Sequence, residues 1–127
     1  MRAVRTTAAP APGGHYSQAT LFGELVFVSG QLGALPDGTH AAEAPFADQV
    51  RRAMANVMAI AAEAGCSKQD ILRVTAYIVG IERWPEFNSV YAELLGDMRP
   101  ARTVVPVPGL HYGYLIEVDA ILGRSAT

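Results

Sequence analysis

The sequence predicts an α+β fold in which two helices pack on one face of a sheet. Three observations predict it: two stretches with apolar residues at three- and four-residue spacing, several short runs rich in branched and aromatic residues, and the order strands, helix, strand, helix, strands. With 127 residues, half of them apolar, the chain is long enough for one core and too short for two. A single domain over residues 1–127 is therefore expected.

The elements follow in order. Ala3 to Thr6 and Ser17 to Phe22 are the faintest strand signals, separated by the turn-forming run Pro10-Ala11-Pro12-Gly13-Gly14. Leu25-Val26-Phe27-Val28 is a clearer apolar run closed by Ser29-Gly30-Gln31, and Pro36-Asp37-Gly38 reads as a turn in a surface loop. Phe46, Val50, Met54, Val57, Ile60 and Ala64 then recur at helical spacing, with Pro45 in the first turn and Gly65 just past the end. Ile71 to Val79 is a long branched run, hence a strand. Pro85 opens a second helix with Phe87, Val90, Tyr91 and Leu94 as its stripe and Gly96 as its left-handed terminator. Thr103-Val104-Val105 and Tyr114 to Leu122 complete the strands.

Alternation assigns the faces. In the last strand Ile116, Val118, Ala120 and Leu122 share one apolar face, which should lie under the helices, and Leu115, Glu117, Asp119 and Ile121 share the other. In the strand from Ile71, the predicted apolar face is Leu72, Val74, Ala76 and Ile78, opposite Ile71, Arg73, Thr75, Tyr77 and Val79. The mixed face is too apolar for free solvent and too polar for a dry core, so it is expected to meet other subunits around a partly wet site.

Composition narrows the function classes. Ten Lys plus Arg are outnumbered by twelve Asp plus Glu, and no basic run is interleaved with aromatics, which speaks against nucleic acid. The lone Cys66 rules out an internal disulfide framework and suits a reducing compartment. Met1 to Thr7 lacks the apolar stretch of a signal peptide, and no run approaches the roughly 20 apolar residues of a membrane span. The expectation is a cytoplasmic protein with no membrane partner.

Arg102, after Pro100-Ala101, stands at the head of a branched stretch and offers a planar fork of donors suited to a carboxylate or phosphate. Glu117, on a later strand of the same sheet, can handle a proton or a water beside such an anion. Glu117 and Asp119 lie about 6 to 7 Å apart on one strand face, compatible with an acid/base pair, a metal clamp, or cross-strand partners for Arg73 and Arg102. His15, His40 and His111 are scattered over loops with no pair at ligand spacing, so no metal is expected. No Ser or Cys stands in a nucleophile elbow, and Cys66 reads as structural.

Gly14-His15-Tyr16-Ser17-Gln18-Ala19, Val26-Phe27-Val28-Ser29-Gly30-Gln31, Asn56-Val57, Phe87-Asn88 with Val90-Tyr91, Pro100-Ala101-Arg102 and Ile116-Glu117-Val118 follow one another along nearly the whole chain. In that order and spacing they resemble the Rid/YjgF family of reactive-intermediate (enamine/imine) deaminases, of the endoribonuclease L-PSP-like superfamily. The resemblance implies a single mixed sheet of about six strands, of the trimeric chorismate-mutase type, with the sheets of a homotrimer forming a barrel and clefts at the subunit boundaries. It implies that Arg102 holds a substrate carboxylate, that Glu117 positions a water, and that Tyr16 and Gly30 line the pocket. Asn88, Val104, His111 and Tyr112 are further candidate substrate-binding residues, and no cofactor is implied. The implied activity is hydrolysis of 2-imino or enamine acids, by default 2-iminopropanoate and 2-iminobutanoate, to 2-keto acids and ammonia.

Two positions depart from the family pattern. Many members have proline where His15 stands and cysteine where Val104 stands, and the second change argues against thiol-dependent activity. The segment from Pro106 to Tyr114 is rich in aromatics; if His111 or Tyr112 lines the cleft, a bulkier or aromatic-like acid is expected, as in relatives acting on aminomuconate- or aminoacrylate-type compounds. A non-catalytic small-molecule-binding protein remains the other alternative. The ribonuclease label carried by some relatives fits poorly with the acidic charge.

Overall fold

In a computed structural model, which describes residues 1–125, six strands form one sheet. The last two positions of the expected 1–127 domain lie outside the described residues. The strands are β1 (Arg2–Val4), β2 (Ala19–Phe22), β3 (Leu25–Gln31), β4 (Ile71–Val79), β5 (Ala101–Val107) and β6 (Ile116–Gly123), and the helices are α1 (Phe46–Glu63) and α2 (Trp84–Leu95). The sheet order is β1-β2-β3-β6-β4-β5. Only β4 and β5 run parallel, and α2 makes the crossover between them. The expected mixed sheet with two helices is the observed fold. No helix among the described residues is long and apolar enough to cross a membrane.

The predicted periodicities place the core. Val50, Val57 and Ile60 of α1, Val74 and Ile78 of β4, and Ile116, Val118 and Leu122 of β6 are all fully buried. Each such side chain contributes roughly 1.5 to 3 kcal/mol by leaving water. Gly65 and Gly96 follow the two helices with positive φ, as their sequence positions suggest.

Two bulges alter the simple alternation. Between the pairs Ile71↔Leu122 and Arg73↔Ile121, β4 carries one extra residue, Leu72. That residue is 50% exposed while Ile71 is buried, which reverses the faces predicted for both; alternation resumes at Val74. Between Val28↔Ala120 and Gln31↔Val118, Ser29 and Gly30 together stand opposite the single Asp119. The second bulge brings Gly30 against Glu117.

Tyr114 and Leu115 lie outside the last strand, contrary to expectation. A 3-10 turn at His111–Gly113 precedes them and β6 starts at Ile116, although the Leu115 carbonyl still accepts a hydrogen bond from Val79 N at 3.0 Å.

The face away from the helices carries Leu25, Phe27 and Leu72, all exposed, with Tyr77, Asp119 and Ile121 partly buried among them. Tyr77 Oη donates to Asp119 Oδ2 at 3.2 Å, and Arg73 hydrogen-bonds Thr103 across β4 and β5. Neither Glu117 nor Asp119 pairs with Arg73 or Arg102 among the described residues, so the cross-strand ion pairs left open by the sequence do not form.

Candidate active site

A cleft of about 530 Å³ opens where the loops after β1, β3 and β5 converge on the bulge at Gly30. Tyr16, Gly30, His111, Tyr112 and Glu117 line it together. These are five of the eight residues that sequence reasoning singles out.

Gly30 has to be glycine for a local reason. A Cβ there would sit 2.5 Å from Glu117 Oε2, so the missing side chain is the space in which the carboxylate lies. Burial raises the Glu117 pKa above the usual carboxylate range, and the charge of Asp119 raises it further, while His111 opposes the shift. A carboxyl shifted upward in this way holds a proton more readily than an exposed one, which suits proton exchange with a bound water.

The loops that shape the cleft are held by buried amides. The Gln18 side chain accepts from Thr6 N at 2.8 Å and donates to the Thr6 and Pro10 carbonyls at 3.0 and 2.9 Å. Gln49, fully buried on α1, donates to the Ala42 and Ala44 carbonyls and accepts from Leu115 N at 2.9 Å. Asn56, one helical turn further plus three residues, donates to the Leu32 and Ala34 carbonyls. Gln18 and Asn56 stand in the motif strings that carry the family resemblance, but nothing in their spacing reveals that they tie loops.

His40, which the sequence presents only as a scattered loop histidine, also lines the cleft. His40 stacks on Tyr112 with ring centroids 4.1 Å apart and an interplanar angle of 29°, and its Nδ1 lies 3.0 Å from the hydroxyl of Tyr114. Tyr112 has φ +62°, the left-handed region that costs a bulky residue roughly 1 to 3 kcal/mol.

Arg102 is elsewhere. It pairs with Val74 in the β4–β5 ladder and so points to the helix side, whereas Glu117 pairs with Tyr77 and points to the other side. Within one chain the two residues therefore do not act beside one another, which corrects the expectation drawn from their sharing a sheet. Face parity, carried across β4, separates them. Arg102 Nη1 donates to Asn88 Oδ1 at 2.9 Å, and the guanidinium lies over the Tyr91 ring at 4.9 Å and the Phe87 ring at 5.7 Å. Arg102 and Asn88 line a second cleft, of about 490 Å³, at the β5 edge. Val104 lines neither cleft; it packs against the core from the helix side. His15 is exposed and outside both clefts, and Cys66 is buried with its thiol pKa raised by burial. Among the described residues no group of three or more His, Cys, Asp or Glu is placed to hold a metal ion.

The endoribonuclease L-PSP family model matches residues 6–122. The chain belongs to the Rid/YjgF/RutC family. A RutC family protein of Pyrococcus abyssi is 38% identical over 116 residues, which span 91% of each chain. The 2-iminobutanoate/2-iminopropanoate deaminase of Bos taurus is 31% identical over 118 residues, covering 93% of this chain and 86% of that protein. Among solved structures, E. coli TdcF with bound serine superposes with a TM-score of 0.92 at 32% identity, covering 98% of this chain and 100% of that one. This Rid fold thus presents its acid and its cation in two separate clefts.

Proposed function

We propose that the protein is a cofactor-free deaminase of reactive 2-imino and enamine acids, working as a homotrimer in which Arg102 of one subunit completes the Glu117 cleft of the next. The observation that carries this reading is the division itself: the cleft with the tuned acid is lined by no Lys or Arg, and the cleft with the held guanidinium is lined by no Asp or Glu. The exposed apolar residues on the face away from the helices supply a surface for association. Related proteins named as 2-iminobutanoate/2-iminopropanoate deaminases, and a structural neighbour with bound serine, support a small carboxylate ligand.

The chemistry asks little of the protein. The imine carbon of a 2-imino acid is already electrophilic, so holding the carboxylate on Arg102 and one water on Glu117 accelerates attack by positioning. The water oxygen bonds to the imine carbon; Glu117 accepts the water proton and passes it to nitrogen, giving a carbinolamine. A second proton moves from its hydroxyl to nitrogen as the C–N bond breaks, releasing ammonia and leaving the 2-keto acid. Imines of three and four carbons, 2-iminopropanoate and 2-iminobutanoate, are the default substrates.

The test generates imines from a panel of amino acids with an amino-acid oxidase and follows their loss with wild type and with Arg102→Ala. Two charge-assisted bonds of about 1.5 to 3 kcal/mol each predict a loss of about 10²- to 10⁴-fold in kcat/KM. Equal imine loss with both proteins across the panel would instead assign the chain to the small-molecule-binding class.

A further inference from the structure

The wall of the Glu117 cleft is built of rings, and they are fixed before any ligand arrives. Tyr114 is 99% buried and its hydroxyl accepts a hydrogen bond from Ala41 N at 2.9 Å. The same hydroxyl is hydrogen-bonded to His40 Nδ1, 3.0 Å away. The His40 ring in turn stacks on Tyr112, whose left-handed backbone is set within the 3-10 turn. Beside this wall Gly13 N donates to Tyr16 Oη at 3.2 Å, and the place a Gly13 Cβ would take is 3.8 Å from Tyr112 Oη. Tyr16 and Tyr112 therefore approach one another across a residue that offers no side chain.

Such a wall exceeds what a three- or four-carbon acid can use. Short aliphatic chains gain only apolar contact from it, and a cleft of about 530 Å³ falls in the range of roughly 300 to 1,000 Å³ that takes far larger ligands. A strained tyrosine held face to face with an imidazole, itself anchored by a buried hydroxyl, supplies an oriented π surface. Strain that is retained at a cleft wall and braced by a chain of contacts points to use by the ligand.

From this geometry we infer that His40 and Tyr112 are specificity-determining residues, and that the cleft prefers 2-imino acids whose side chain is a planar π system, aromatic or conjugated, over saturated side chains of equal size. This deepens the deaminase reading and rests on it for the reaction. The carboxylate goes to Arg102 of the neighbouring subunit, the imine carbon lies over Glu117, and the planar side chain stacks along the His40–Tyr112 wall.

A pair of substrates separates stacking from bulk. A cyclohexyl ring is more apolar than a phenyl ring, so burial alone favours the imine from 3-cyclohexylalanine, whereas stacking favours the imine from phenylalanine by about fivefold. The expected wild-type result is a kcat/KM ratio of about five or more in favour of phenylalanine imine. In Tyr112→Asn, where asparagine tolerates the left-handed backbone, and in His40→Asn, whose amide can donate to or accept from Tyr114, the ratio falls to one or below. A wild-type ratio at or below one, or a ratio unchanged in both variants, overturns the inference. Hydrolysis of aliphatic imines without phenyl preference does so while leaving the deaminase reading intact. If imine loss is the same for wild type and Arg102→Ala, the deaminase reading fails and calorimetry decides the wall separately. Tighter binding of 3-phenylpropanoate than of 3-cyclohexylpropanoate by wild type, reversed in Tyr112→Asn, upholds the π surface; no binding of either, or cyclohexyl preference, overturns it.

Discussion

The cleft around Glu117 and the cleft around Arg102 are made in different ways. The first is assembled from loops, drawn together by the side-chain amides of Gln18, Gln49 and Asn56 and floored by a bulge in β3. The second lies on regular structure, with Arg102 at the start of β5 and its partners Asn88, Phe87 and Tyr91 on successive turns of α2. Loops give one cleft a shape that can vary from relative to relative, while a strand and a helix give the other a fixed cation. In the proposed reaction, the difference assigns selectivity to the loops and the anion grip to the strand and helix.

The sharpest way to break the comparison is to mix subunits. In the proposed trimer, Arg102→Ala and Glu117→Gln should each cost about 10²-fold or more in kcat/KM. Random hybrids of the two should regain about a quarter of the wild-type sites, because any boundary pairing an intact Arg102 with an intact Glu117 is whole in a cyclic assembly. Hybrids with no more activity than the parents would place both residues' chemistry inside one chain, or nowhere.

Gly30→Ala tests the loop cleft alone. Its Cβ would displace the Glu117 carboxylate, so kcat/KM should fall about 100-fold while the circular dichroism spectrum and the oligomeric state stay as in wild type. On the other side, Asn88→Ala removes one bond to the guanidinium but leaves both rings beneath it. A loss of about tenfold is expected, mainly in KM, measured by the same imine assay.

The smallest effects are in pH. In the proposed mechanism Glu117 acts as a carboxylate, and its pKa is raised by burial and by Asp119, so the acid limb of kcat/KM should lie above that of an ordinary glutamate. Asp119→Asn removes the like charge and should shift that limb to lower pH. For stability the sign is opposite. A pKa raised on folding stabilises the folded state at pH values below the unfolded pKa, and that contribution disappears as pH rises through the folded one. Glu117→Gln should therefore melt slightly higher than wild type at pH 7 and gain nothing at pH 3.

Much of this was legible in the chain. Helical spacing with Gly65 and Gly96 gave both helices, and the apolar alternation of β6 gave its buried face, because each signal is local. Leu72 was misassigned because a bulge is set by the partner strand, and β6 is about fifty residues away along the chain. The same non-locality hid the separation of Arg102 from Glu117: each residue's chemistry is a property of its type, but the side of the sheet it faces depends on register through β4. In sequence His40 is only one of three scattered loop histidines, because its partners, Tyr112 and Tyr114, come to it only in the folded chain.

The amides that tie the loops have a consequence for measurement. Gln18, Gln49 and Asn56 have no proton to gain or lose in water of ordinary acidity, so the scaffold they hold keeps its connections across the whole interval in which Glu117 titrates. A change of rate with acidity then reports the ionisable side chains that meet in the cleft, Glu117 first among them, and not a loosening of the loops around them.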